Sequence, residues 1–445
     1  MLTYDRARKF IEETTKFGSV LGLSSMKALM EELNNVQNTI PTVHISGTNG
    51  KGSVGAYLAS VCRQAGLKVG RYCSPAVFHP LECWQYDGNN ITEEEYALCM
   101  SQVKTACDIV IQNGIQPTAF ELETAMAFVY FAWKKPDVLL LEVGMGGSTD
   151  ATNVVEHPLA CVFTDISYDH MQFLGSTIEE ITRIKAGIIK PGAKVFSARQ
   201  EPAAERVLKE VYENTLEKAA TGKKDSGVAV NSITFVDGNH LSMISEKPGE
   251  LSFSYHGETY ITQMAGHYQM KNAALAIEVF QGLYSLQDKK EILHKGIANA
   301  TWPGRFEVLG TNPLFMIDGA HNEDAAKQLA QTIQNCFTNQ SLAYIIGVLA
   351  DKEHEKMLQI MLPHAAKVYT ITPPNTRGMD GELLLAEAQE IAGKQGLSIE
   401  MEYCPSVREA LNKAHIYGTK ENRPILAFGS LSYLGILMEA YRRQE

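Results

Sequence analysis

The run Thr42-Val43-His44-Ile45-Ser46-Gly47-Thr48-Asn49-Gly50-Lys51-Gly52-Ser53 sets glycines, a lysine and a hydroxyl where a strand gives way to a helix. It reads as a short buried strand, a glycine-rich turn, and a helix from about Lys51 to Gln64. Gly47, Gly50 and Gly52 let the backbone curl tightly and turn its N–H groups inward. The helix start adds unsatisfied N–H groups and a partial positive charge of roughly half an electron. Lys51 adds a full charge, and Ser53 offers a hydroxyl to a magnesium ion. Such a turn is built to hold a polyphosphate. Gly52 separates the lysine from the hydroxyl, a departure from the common P-loop pattern. The competing reading is a glycine turn that merely starts a helix.

Other residues could do chemistry at the same kind of edge. Glu142 closes the apolar run Asp137–Val143 and precedes Gly144-Met145-Gly146-Gly147. It is either a magnesium ligand beside a nucleotide phosphate or a loop carboxylate. Asp169-His170 follows the apolar run Cys161–Ile166, as a metal ligand or a structural hydrogen-bonding pair. Lys185 lies in an apolar helix end, where an unpaired charge is costly. Its ammonium escapes to water, pairs, or has its charge changed chemically. Arg305 lies beside Pro303-Gly304, placed to clamp phosphate. Asp318-Gly319-Ala320-His321-Asn322 brings a carboxylate and an imidazole to the end of another strand; the alternative there is an N-cap Asn322 with a loop histidine.

These residues need strands and helices to position them. Near-continuous apolar strands alternating with helices imply parallel sheets with right-handed crossovers. The fold class is α/β. The N-terminal P-loop domain, residues 1–300, has a mostly parallel sheet. Residues 228–264 read as an antiparallel meander forming an edge of that domain. A Rossmann-like α/β domain follows over 301–445, with a cleft between the two. Residues 218–227 read as a mobile surface loop.

Bulk properties narrow the function classes. The 445 residues suffice for two or three domains, and 45% apolar with 20% charged residues is ordinary for a soluble globular chain. A net charge of −11 without a long basic run argues against nucleic acid as a partner. No apolar run reaches membrane-spanning length, and Met1–Arg8 lacks a signal-peptide core, so the expectation is a cytoplasmic protein without a membrane partner. The eight cysteines are scattered without a Cys-x-x-Cys pair, which predicts free thiols rather than a zinc site.

Taken together, the segments resemble the Mur-ligase-type ATP-dependent amide ligases, closest to the folylpolyglutamate and dihydrofolate synthase branch. The likeness spans nearly the whole chain. It runs through Gly47–Ser53, Ser74-Pro75, Phe120-Glu121 with Thr124-Ala125, Glu142–Gly147 and Asp150-Ala151-Thr152-Asn153. It continues through Asp169-His170 with Leu174-Gly175, Lys185–Ile188, Gln269 with Asn272-Ala273, Trp302–Glu307 and Asp318–Asn322. The resemblance implies an ATP-binding central domain and a C-terminal glutamate-ligase domain. It implies that Thr48, Asn49, Gly50, Lys51, Gly52 and Ser53 cradle ATP phosphates. Ser53, Ser74, Glu142 and His170 would hold two Mg2+ ions, and Lys185 would carry a carbamate. Asn272, Arg305 and Asp318 would contact ATP. Phe120, Glu121, Leu122 and Glu123, with Thr149, Asp150 and Ala151, would meet the pterin-bearing folate. His321 and Ser430 would lie near the incoming L-glutamate. Lys51, His170, Lys185 and His321 are the implied catalytic set, and a monomer is expected.

The chain departs from that branch in places. Ala76-Val77 follows Ser74-Pro75 where His-Leu is usual, and Glu82-Cys83-Trp84 replaces a Glu-Arg-Ile triplet. No Lys or Arg lies between Ser74 and Gly88. Tyr268 stands where a His precedes Gln269, and Ser148 replaces an Arg often seen in dihydrofolate synthases. These changes bear on the acceptor, not the reaction. The expected activity is glutamate addition to a folate. Dihydropteroate and another carboxylate are the alternative acceptors, and a nucleotide-binding switch without ligase chemistry is the alternative class.

Overall fold

The computed structural model describes residues 1–15, 22–76, 78–169, 171–221, 232–351 and 354–443. The chain forms two compact units. The first comprises Met1–Ala76, Pro80–Gly238 and Lys271–Ile297. The second comprises Asn239–Met270 and Ala298–Glu445, with Phe78 and His79.

The first unit is built on an eight-stranded sheet. Its spatial order is Asn89–Asn90, Trp84–Tyr86, Val69–Tyr72, Val138–Glu142, Thr42–Ser46, Ala160–Phe163, Lys194–Ser197 and Thr234–Phe235. Among the described residues, only the hairpin at the Asn89 edge runs antiparallel. Thr42–Ser46 sits between two parallel neighbours, and all five of its residues are buried. That burial on both faces explains its apolar composition. The register sets Ile45 beside Glu142 and Ser46 beside Phe163, so the carboxyl ends of three strands come level.

Helices Glu93–Gln112, Ala119–Lys134 and Ile178–Ala186 each begin with a complete capping box, at Thr92, Thr118 and Thr177. In each, a threonine side chain and a glutamate three residues on satisfy otherwise orphaned N–H groups. Helix Ala119–Lys134 is apolar nearly all round because it is enclosed by the N-terminal helices and the sheet. All eight cysteines are unpaired, seven of them buried.

The second unit has a six-stranded sheet in the order Glu307–Thr311, Leu314–Ile317, Ile425–Phe428, Leu342–Ile346, Ala365–Thr370 and Glu400–Tyr403. Among the described residues, only the Glu307–Thr311 pairing is antiparallel. That strand and Glu400–Tyr403 escape the sequence pattern, since both are short, half-exposed edge strands.

One expectation is corrected here. The meander is not an edge of the first sheet. Leu241–Lys247, Glu250–Tyr255 and Glu258–Thr262 form a separate three-stranded sheet in the second unit. Its buried face carries Leu251, Phe253, Tyr255 and Tyr260. Asn335, on helix Glu323–Cys336, donates to Glu246 Oε2 at 2.6 Å and ties the meander to its neighbour. The expected loop at 218–227 lies largely outside the described residues, beyond Thr221. No described helix is long and apolar enough to cross a membrane.

Candidate active site

The turn after Thr42–Ser46 is held open from beneath by the turn after Ala160–Phe163. Thr48 N–H donates to the Asp165 carbonyl at 2.7 Å, and Thr48 Oγ1 donates to the Ser167 carbonyl at 2.9 Å. Gly47 and Gly50 have φ of +149° and +91°. A Cβ on Gly47 would lie 1.9 Å from Thr164 Oγ1, and one on Gly50 2.5 Å from Asn272 Oδ1. Both positions therefore demand glycine for conformation and for space. Asn272, expected at the nucleotide, is buried against the turn. The helix begins at Lys51, as read from the sequence, with Gly50 as its N-cap. Ser53 is buried in its first turn. Sequence reasoning missed Thr164 and Asp165; their signal was their place directly after a buried strand.

Two lysines converge here. Lys51 Nζ donates to the Gly47 carbonyl at 3.1 Å and to the Thr48 carbonyl at 3.2 Å. Lys185 Nζ donates to the same Gly47 carbonyl at 2.9 Å. Lys185 is only 4% exposed. Burial, and then the charge of Lys51, push its pKa down to about 7, against the pull of Asp169, Asp150 and Asp165. The second of its alternatives, pairing, is met among the described residues by a neutral carbonyl.

Glu142 ends its strand level with Ile45. Ser74 follows the Val69–Tyr72 strand, which pairs with Val138–Glu142, and so reaches the same edge. His170 lies outside the described residues.

The loop after Glu142 is folded tightly onto the Lys185 helix. A Cβ on Gly147 would fall 2.5 Å from the Lys185 carbonyl oxygen, and Ser148 N–H donates to the Ile184 carbonyl at 2.8 Å. Asp150 is buried, and its carboxylate gathers the loop around it: Met145 N–H at 2.8 Å, Thr152 N–H at 3.0 Å and Thr152 Oγ1 at 2.5 Å. Burial raises its pKa and these donors oppose the rise. The Phe120 ring covers Gly144, within 2.5 Å of where a Cβ would sit. The two segments expected to meet the folate are thus brought together.

Within them the roles divide. Leu122 and Ala151 are buried core residues, whereas Phe120, Glu123 and Thr149 are partly exposed. Glu121 accepts from Thr118 N–H at 2.7 Å and Thr118 Oγ1 at 2.9 Å, closing the capping box of its own helix. Glu123 lies 3.6 Å from Arg8. Burial pushes its pKa up to about 7, with Arg8 opposing.

In the second unit, Asp318 ends Leu314–Ile317 and is buried. Its Oδ2 accepts from Tyr268 Oη at 2.9 Å and Phe306 N–H at 2.8 Å, and its Oδ1 from Ala320 N–H at 2.8 Å. Burial raises its pKa; Arg305 heads the influences that hold it down. A Cβ on Gly319 would lie 2.0 Å from Arg305 Nη1, so the guanidinium lies across this glycine. His321 Nδ1 is 2.9 Å from the Gly319 carbonyl. Asn322 does cap helix Glu323–Cys336, accepting from Ala325 N–H at 2.9 Å. Gly429 N–H donates to the Ala320 carbonyl at 3.0 Å, which brings Ser430, the N-cap of helix Leu431–Arg442, to the same strand edge.

Comparison with known proteins matches two ligase domains along the chain. The Mur ligase middle domain matches residues 45–280, and the Mur ligase glutamate ligase domain matches residues 304–431. The dihydrofolate synthase/folylpolyglutamate synthase of Bacillus subtilis is 37% identical over 363 residues, 80% of this chain and 82% of that protein. Folylpolyglutamate synthase of Mycobacterium tuberculosis, solved with ADP and AMPPCP, superposes with a TM-score of 0.83 at 28% identity, covering 99% of this chain and 98% of that one. E. coli FolC in complex with DHPP and ADP gives a TM-score of 0.82 at 25% identity, covering 98% of each chain. With a relative at this identity over four-fifths of its length, and both ligase domains in order, the chain belongs to the Mur ligase family, in its folylpolyglutamate and dihydrofolate synthase branch.

Proposed function

We propose that this protein is an ATP-dependent ligase that joins L-glutamate to a folate through an acyl phosphate. The observation that carries the reading is Lys51, held on the Gly47 and Thr48 carbonyls at the start of a helix, in a turn that only glycine can form. A cationic, backbone-lined cradle of this kind suits a triphosphate.

The chemistry follows from charge. A carboxylate oxygen of the folate attacks the γ-phosphorus of ATP, the bond to the β–γ bridging oxygen breaks, and ADP leaves. The glutamate amine then attacks the activated carbonyl carbon, loses a proton, and phosphate departs. Two anions must meet in the first step. Lys51 offsets their repulsion, and the first-turn N–H groups of the helix it begins hold the phosphates in line. Arg305 and Asp318 are assigned to ATP, and His321 and Ser430 to the glutamate.

Magnesium fits the donor set. Mg2+ takes one or two carboxylates and fills its remaining positions with phosphate oxygens and water. Glu142, with Ser53 and Ser74, offers that sparse combination, and His170 is assigned beside them. The bound ions would supply charge neutralisation between the phosphates and the attacking carboxylate. Lys185 fits a carbamate. A buried amine with a pKa of about 7 is largely unprotonated just above neutrality, so its nitrogen can add to CO2 and release a proton. The product turns a buried cation into an anion. We further read the protein as a cytoplasmic monomer.

Dihydropteroate is the second acceptor considered. The Bacillus subtilis relative bears both names, and the loop from Ser74 to Gly88 lacks the usual arginine. Purified protein with ATP, Mg2+, L-glutamate and either tetrahydrofolate or dihydropteroate tests both readings. Glutamylated product by mass, with equal phosphate release, is expected with at least one acceptor. Failure with both would remove the folate reading.

A further inference from the structure

We propose that His44 is a positioning residue for the acceptor substrate: from the strand entering the phosphate turn it holds Thr152, and through Thr152 the carboxylate that shapes the Gly144–Ala151 loop. The proposal rests on the reading above that this loop meets the folate.

Side chains two apart on a strand share a face. His44 and Ser46 therefore project together from Thr42–Ser46. Ser46 Oγ donates to the Gly146 carbonyl at 2.9 Å, and His44 Nε2 lies 2.8 Å from Thr152 Oγ1. One strand face thus grips the loop near both of its ends. Asp150 joins those ends, since it binds Met145 N–H on one side and Thr152 on the other.

The proton count fixes the direction of this chain. Asp150 receives three donors and acts as an acceptor. The single Thr152 hydroxyl proton goes to Asp150 Oδ1, at 2.5 Å. Thr152 Oγ1 must then accept from His44, so the imidazole carries its proton on Nε2. The bare Nδ1 is buried with no hydrogen-bond partner among the described residues, which an acceptor tolerates better than a donor. His44 is fully buried, and burial with Lys190 nearby holds its pKa down to about 3, so the ring stays neutral. A hydrocarbon would fill this strand position without stranding a nitrogen. What histidine adds is one directed N–H aimed at Thr152.

The test is a set of variants assayed for glutamate addition with ATP and folate varied separately. His44→Leu removes the donor, and Thr152→Val cuts the same chain from the loop side while leaving the strand intact. Each is expected to raise the KM for the folate about tenfold, equivalent to about 1.4 kcal/mol, with the KM for ATP within about twofold of the parent. The double variant should be no worse than either single one. His44→Gln, which presents an amide N–H at similar reach, should recover most of the loss. Unchanged folate KM in Thr152→Val, equal rises for both substrates, or additive effects in the double variant would overturn the proposal. A parent protein that glutamylates no folate would instead defeat the functional reading, so the two failures are distinguishable.

Discussion

At Gly47–Ser53 the charge comes from Lys51, which shares the Gly47 carbonyl with Lys185. At Asp318–Asn322 the centre is a single carboxylate with three donors already in place. Both loops leave buried strands of parallel sheets, yet their wiring is opposite. The first keeps Lys51 hydrogen-bonded, among the described residues, to backbone carbonyls alone, so an incoming polyphosphate meets a cation that no carboxylate already holds. The second arrives satisfied, with its carboxylate fixed and Arg305 lying over Gly319. A site that binds by charge fails abruptly when a charge is removed. A site that binds by shape fails by degrees.

That contrast orders the expected effects. Lys51→Ala should be the most damaging. Removing one preorganised donor to a transition-state charge costs about 10²–10³ in turnover, and Lys51 supplies a full charge. Single-turnover ADP formation checks this; normal ATP use by the variant would contradict the nucleotide assignment. Gly47→Ala should come next, acting through structure. Its methyl would meet Thr164 in a backbone region that L residues avoid. Overpacking of this kind costs about 1–3 kcal/mol before backbone strain is added. Both the melting temperature and ATP affinity should fall, whereas Lys51→Ala should lower only affinity and rate.

Lys185→Met separates function from stability. Turnover should be lost, and added bicarbonate should not restore it. In CO2-free buffer, however, the variant should melt higher than the parent near neutral pH. The folded pKa of about 7 lies below the ordinary value of 10.5, so burying the ammonium opposes folding. That penalty is fully present below pH 7 and disappears as pH rises toward 10.5, because the unfolded chain binds more protons in that window. The stability difference between variant and parent should therefore shrink across it. A flat difference would mean that Lys185 keeps its charge in the folded protein.

Much of this contrast was legible in the sequence, for a physical reason. Glycines, a lysine and a hydroxyl after an apolar strand have few structural uses together, and the helix start at Lys51 and Asn322 as N-cap fell where those residue types place them. Parallel strands covered on both faces announce themselves as apolar runs, as Val138–Glu142 did. The meander's place did not follow from its pattern, since alternation identifies a half-buried strand but not the partner covering it. Residues acting through space were also hidden. Thr164 beneath Gly47, His44 behind Thr152 and Tyr268 beside Asp318 lie far from those partners in sequence, and their types alone have many uses. Glu121 shows the converse, a carboxylate matched by family position whose hydrogen bonds close a capping box.

Tyr268 gives the smallest and most discriminating effect. It stands where the branch usually has histidine, and its hydroxyl donates to Asp318 Oδ2 at 2.9 Å. Two backbone N–H groups hold the same carboxylate, so loss of the hydroxyl leaves Asp318 placed but less firmly held ionised. Burial already raises the Asp318 pKa, and the tyrosine is among the groups opposing that rise. Tyr268→Phe should therefore raise it further. A carboxylate with a raised pKa loses its charge earlier as pH falls, so ATP affinity should decline at a higher pH in the variant than in the parent. At pH 8 the two should differ in ATP KM by no more than about threefold, below the 1.4 kcal/mol of a tenfold change. Tyr268→His should lie between them, since an imidazole N–H can supply the same donor. Equal pH profiles for Tyr268→Phe and the parent would mean that the backbone donors alone fix Asp318, and that the second loop is still more prewired than its hydrogen bonds imply.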